Sequence, residues 1–306
     1  MLKRKAFNRI FLTTIVFFVV FSFYNLKMIP SFETIDIEHD NNKENIYTLN
    51  NDNYISKTEV YVSKTLDLKD KIKEKLEIMT SENNKNSLLP SYFNPILPAN
   101  TKVYDVIVED SLVKVFFSKE LNDITEEQSE KMIEAITYTI VDDDILGIEI
   151  YVDGKLLKYV PHTKKELPTV LTKNFGINKV YDLNGTNDIV KVFMNYYADC
   201  GDGYCLIPVT KYLNDDREKL EIVFNDLNSF SNSGFISLID DVKLVSYEIG
   251  NTNIKININK DIDENELELL TTCIFDNYNV SEVNIMVNNT KKLVKTIEKW
   301  KKLLYN

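Results

Sequence analysis

Only two imidazoles are available for proton transfer or metal binding, His39 and His162. Imidazole is the side chain best matched to those tasks near neutral pH. His39 sits in an Asn/Asp/Glu-rich stretch and His162 follows Pro161, so both read as solvated loop residues. The chain has no H-E-x-x-H pair, no G-x-S-x-G elbow and no phosphate-cradling glycine loop, and Gly154-Lys155 lacks the upstream glycine of a P-loop. Asp142-Asp143-Asp144 could attract a cation, but three adjacent carboxylates point different ways and fall short of a calcium loop, so they read as an acidic turn. Asp199 and Asp202, beside Gly203, read as turn formers. Cys200 and Cys205 flank Gly201-Asp202-Gly203-Tyr204 and could either close a short disulfide across a hairpin or stand as two free thiols near a turn. Cys273 lies in an apolar helical pattern and reads as a small core residue. No catalytic, cofactor-binding or metal-ligating residue is assigned, and the expectation is a non-enzyme without cofactor that binds or assembles.

The elements that would carry such a function begin with a membrane signal. Lys3, Arg4, Lys5 and Arg9 precede an uncharged run over residues 10–24, which Leu26, Met28 and Ile29 extend. With Lys27 reaching back toward the headgroups, the run approaches the roughly 20 residues a span needs. Residues 21–32 offer no small-x-small cleavage pair and no Cys follows, which disfavours both a cleaved signal and a lipid anchor. Residues 1–29 are thus expected to be a cytoplasmic basic leader and a single transmembrane anchor, with the rest outside the cytoplasm by the positive-inside rule. The remaining chain has a globular composition, 44% hydrophobic and 27% charged residues. Its net charge of -11 over 306 residues argues against nucleic acid, which needs clustered cations.

Residues 30–45 read as a polar stalk, and 46–160 and 189–290 as two units separated by a linker over 161–188. In the first unit Val60-Tyr61-Val62 reads as strand, and Leu66, Ile72, Leu76 and Met79 share a helical face. Runs over 103–108 and 112–117 flank a hairpin turn at Glu109-Asp110-Ser111. Thr125 and Gln128 form a capping box before the periodic Met132, Ile133, Ile136 and Ile140. The alternating Ile148-Glu149-Ile150-Tyr151-Val152 ends at Asp153-Gly154. The second unit repeats the order: strands over 192–197 and 205–209, a helical face of Leu220, Val223, Phe224 and Leu227, a hairpin about Gly250-Asn251, a helix start at Asp263 and Glu266, and a strand over 283–287. Such units predict an α+β fold in which each domain has a small, mostly antiparallel sheet with helices on one face, and they predict that the two sheets share one strand order. Residues 291–306, with Leu293, Ile297, Trp300 and Leu304 on one side and many lysines on the other, read as a basic amphipathic helix. It would cover the second sheet, or meet a membrane surface or partner.

Three stretches of the first unit carry a resemblance: Leu97-Pro98-Ala99-Asn100-Thr101-Lys102-Val103, Val113-Lys114-Val115-Phe116-Phe117-Ser118-Lys119-Glu120 and Ile150-Tyr151-Val152-Asp153-Gly154-Lys155. They resemble the "LPxxTKV", "VxVxFSKE" and "VxVDGK" stretches of GerMN domains. Tyr196-Tyr197 and Gly203-Tyr204-Cys205-Leu206-Ile207-Pro208-Val209-Thr210 resemble the "YY…GYxVPVT" opening of the same domain. The later half of the second unit departs from the pattern, with Asn257-Ile258-Asn259-Lys260 where Phe-Ser is expected. The resemblance implies a ring-building-motif fold and a scaffold role in sporulation or germination. It implies envelope or sporulation proteins as partners, with self-assembly possible. Family members are typically lipoproteins, from which the uncleaved helix expected here departs. Two other classes make different demands: a cell-wall binder needs a cleft lined with Trp or Tyr, and a hydrolase needs converging carboxylates or a metal.

Overall fold

The structure is a computed structural model that describes residues 41–64, 66–81, 88–201, 203–229, 235–236, 239, 241–288 and 291–296. The expected anchor and residues 30–40 of the expected stalk, His39 among them, lie outside the described residues. Among the described residues no helix is long and apolar enough to cross a membrane.

The first unit opens with an antiparallel pair, β1 (Asn41–Asn50) and β2 (Ile55–Ser63), followed by helix α1 (Leu68–Ile78) and the short β3 (Phe93–Asn94), which pairs with β1. A hairpin of β4 (Val103–Glu109) and β5 (Leu112–Phe117) leads through α2 (Glu126–Ile140) to β6 (Gly147–Val152) and β7 (Lys155–Leu156). After β8 (Val180–Asp182), the second unit repeats this plan. It has the pair β9 (Ile189–Asp199) and β10 (Tyr204–Asn214), helix α3 (Lys219–Ser229), β11 (Phe235–Ile236), the hairpin β12 (Leu244–Ile249) and β13 (Asn253–Ile258), helix α4 (Glu264–Asn277), then β14 (Glu282–Val287) and β15 (Lys291–Thr296). The class is α+β with mixed sheets.

Local chemistry explains the repeat. Asp110, Asp153 and Gly154 adopt the positive φ (53°, 50° and 74°) that tight hairpins require. Asp263 caps α4 with a full capping box, whereas Thr125 caps α2 through the Gln128 N–H alone. Each crossover helix makes its flanking strands parallel, β5 with β6 and β13 with β14, and each sheet has the same order, β4-β5-β6-β7 and β12-β13-β14-β15. The helices bury their periodic faces there: Met132, Ile133 and Ile136 on α2, and Leu269, Leu270 and Ile274 on α4. Val115 and Ile150, or Ile254, Ile256 and Ile258, meet them from the sheets, each full burial contributing about 1.5–3 kcal/mol.

The architecture departs from the sequence expectations in four places. The opening strands do not stay within their own domains. β2 pairs antiparallel with β10, through Lys57 and Leu206, and joins both units into one sheet ordered β11-β9-β10-β2-β1-β3. The two hairpin edges meet at this one registered pair. Strand β1 starts at Asn41, inside the expected stalk, with Lys43 and Asn45 exposed to solvent and Ile46, Thr48 and Leu49 buried. The expected linker is structured: Leu171 exchanges two backbone hydrogen bonds of 2.8 Å with Ile148, and β8 runs parallel to β10. Finally, Lys291–Thr296 is a strand and not the first turns of a helix. It covers the outer edge of β14 and extends the second unit past residue 290. The remainder of the expected C-terminal helix lies outside the described residues.

Candidate binding groove at the junction of the units

The shared sheet reads the same from either end when each strand is replaced by its counterpart, and the two innermost strands are equivalent and antiparallel. This is a pseudo-two-fold arrangement. Helix α2 packs on β1, where the Tyr47 N–H donates to Thr139 Oγ1 at 2.9 Å. Helix α4 packs on β9, where Asn277 exchanges hydrogen bonds with the Phe193 backbone at 3.0 and 2.6 Å. Across the floor, register places Tyr47, Lys57, Leu206 and Tyr197 in one row. Glu268, Thr272 and Asp276, spaced four apart, form one stripe of α4 along it. Two clefts result, of about 450 and 280 Å³, and both are lined by Lys57, Leu206 and Glu268.

The seam beneath is held by a residue of the expected linker. Pro208 has no N–H to donate, so β10 cannot continue a regular ladder at that point. Asn178, held at φ 44°, supplies the missing groups. Its Oδ1 accepts the Ile55 N–H at 2.9 Å, and its Nδ2 donates to the Ile55 and Pro208 carbonyls at 2.7 and 2.8 Å. Its own N–H donates to Glu134 at 2.9 Å, and Lys179 joins Glu134 and Glu130 at 3.0 and 2.6 Å. Burial holds the Glu134 carboxyl above the usual carboxylate range, against the pull of Lys179.

One wall of the larger cleft is covalently fixed. Cys200 and Cys205 form a disulfide across the β9–β10 turn, where the Cys200 N–H also donates to the Gly203 carbonyl at 2.7 Å. Tyr204, 64% exposed, lies within that closed turn and lines the cleft with Tyr197 and Phe93.

The other residues inspected for chemistry are dispersed. His162 bonds through Nε2 to the Asn122 carbonyl at 2.7 Å. Asp142 accepts the N–H groups of Asp144 and Ile145, both at 2.9 Å, which is a turn cap. Asp199 accepts the Gly201 N–H at 2.9 Å, and Asp202 is outside the described residues. Cys273 is buried, which pushes its thiol up to about 12. Among the described residues no group of three or more His, Cys, Asp or Glu could hold a metal.

Sequence reasoning missed a buried trio in the second unit. Tyr196 donates to Asp226, and Lys211 Nζ reaches both Asp226 oxygens at 2.7 and 2.8 Å. Burial, with the Asp226 charge adding, holds the Tyr196 phenol well above its ordinary value. Its members are far apart in sequence, and the available signal was a lysine and a tyrosine at inward-facing positions of strands.

Comparison with known proteins follows the same division. A family model described as Germane, sporulation and spore germination, matches residues 45–158. The spore germination protein GerM of Bacillus subtilis (strain 168) is 26% identical over 272 residues, which are 81% of this chain and 73% of GerM. The tandem GerMN domains of the sporulation protein GerM from Bacillus subtilis superpose with a TM-score of 0.72 at 22% identity, covering 81% of this chain and 91% of that one. With the matched domain in the first unit and the repeated plan in the second, this chain has the tandem GerMN-domain architecture and is GerM-like.

Proposed function

We propose that this protein is a non-enzymatic, membrane-anchored scaffold of the bacterial cell envelope, used in sporulation or germination and acting through protein–protein contacts. The likeness to the sporulation and germination protein GerM supports the biological setting. The basic leader and apolar run over residues 1–29 support a single anchor with the soluble units outside the cytoplasm.

The observation that carries the scaffold reading is the outer edge of the second unit. β12 ends its sheet, and five of its six residues are exposed, among them Val245, Tyr247 and Ile249. An apolar strand edge is a template for a partner's strand. Its counterpart β4 runs along α1, fastened by Lys69 to Asp105.

A photocrosslinker at Val245 of the full chain, used in intact envelopes, tests this reading. The expected outcome is capture of a defined envelope protein or a second copy. Val245→Lys with Ile249→Lys should abolish capture without changing the melting temperature. Capture that survives this double substitution would remove the edge as the contact surface. A reporter after Asn306 that works only in the cytoplasm would refute the orientation.

A further inference from the structure

The geometry points to the larger cleft at the junction as a binding site for a glycan of N-acetylated sugars that carries a carboxylate. At about 450 Å³ the cleft falls within the roughly 300–1,000 Å³ typical of small-molecule sites. Phe93, Tyr197 and Tyr204 give it three aromatic walls from three different strands. One face of a pyranose ring is a patch of C–H groups while its rim is hydroxyl and amide. Such a ring lies flat against an aromatic side chain and turns its polar rim to whatever surrounds it.

The polar groups here fit that rim. Lys57 on the floor and Glu268 on the α4 wall line both clefts, and neither side chain makes a hydrogen bond or ion pair among the described residues. The ammonium matches a sugar-borne carboxylate, and the Glu268 carboxylate accepts from hydroxyl or acetamido N–H groups. The cleft opens on the face of a sheet whose hydrogen bonds run within its plane, β1 to β2 and β9 to β10. The disulfide beside Tyr204 fixes this aromatic wall before binding and lowers the ordering cost.

The test titrates the full-length chain with the N-acetylglucosamine–N-acetylmuramic acid disaccharide, with neutral N-acetylglucosamine tetramer, and with a wall stem peptide free of sugar. Both glycans should bind, the carboxylated one more tightly. Tyr204→Ala, a change at a largely exposed side chain, should weaken both at least tenfold with an unchanged melting temperature. Lys57→Gln should weaken the carboxylated disaccharide about tenfold and leave the neutral tetramer unaffected. The inference is overturned if neither glycan binds, if Tyr204→Ala leaves binding intact, or if the bare peptide binds as well as the disaccharide. None of these results depends on Val245 capturing a protein, so the scaffold reading stands or falls separately.

Discussion

The two units share a plan but fill one position in it by opposite means. Lys57 and Leu206 face each other across the seam as counterparts, so the hairpin registers make Ile46 the counterpart of Tyr196 and Val62 that of Lys211. In the first unit this position is apolar, and in the second it holds the Tyr196–Asp226–Lys211 trio. An apolar pair needs only volume. A buried ammonium needs its counter-ion, because desolvating a charge costs several kcal/mol unless the pairing is good. The same fold therefore tolerates either solution, while the second unit becomes more sensitive to single substitutions.

Asp226→Ala should expose that asymmetry most sharply, with a loss of about 3 kcal/mol or more because Lys211 keeps its burial without this carboxylate. Ile46→Val in the first unit should cost about 0.5–1.5 kcal/mol. Urea unfolding of both variants decides, and equal losses would mean the trio is no more fragile than the apolar pair. Asn178→Ala removes the clamp between the units and should cost about 1–3 kcal/mol for the backbone groups it leaves unpaired. Its further signature should be two separate unfolding steps in place of one, and a single sharp transition would argue that the clamp is dispensable.

Replacing Cys200 and Cys205 together with serine should cost about 2 kcal/mol, since the closed loop is short. That loss should speed exchange in the second unit and not in the first when amide exchange is followed residue by residue. Equal deprotection of β1 and β9 would contradict a local role. The smallest contrast is in the helix caps. Asp263→Ala should cost about 1–2 kcal/mol and Thr125→Ala about 0.5–1 kcal/mol, because the Asp263 carboxylate accepts the Glu266 N–H at 2.9 Å whereas the Thr125 hydroxyl accepts the Gln128 N–H at 3.4 Å. Thermal melts that rank them in the reverse order would show that cap geometry does not set the difference.

Local features were legible in the sequence because they are local in cause. Alternation gave β13, a turn dipeptide gave the end of β6, and a capping pair gave the start of α4. β1 was hidden by its composition: Asn41-Asn42-Lys43-Glu44-Asn45 resembles a solvated stalk, and it is a strand because β2 offers an edge. β15 was hidden by competing periodicities, since Leu293 fits a helical stripe with residues further on and also sits opposite Ile285. The groove was out of reach for another reason. Lys57, Tyr204 and Glu268 meet only after two hairpins have joined edge to edge, and no spacing records such a pairing.

The single Asn178 clamp bears on how the two halves relate. A symmetric pair of separate chains would have two such residues, one on each side of the seam, whereas one connecting segment supplies one. Joined by that segment, the halves meet at a high effective concentration, which makes their docking an intramolecular step. The seam can then be narrow, one registered pair of inner-strand residues, the Asn178 amide and ring packing such as Tyr54 on Phe235, where two free chains would need a much larger contact to stay together. Covalent linkage also frees each half from matching the other. One half can fill a position with apolar side chains while the other fills its counterpart with the Tyr196–Asp226–Lys211 trio and adds a disulfide, so a tandem chain can give a single groove two different sides.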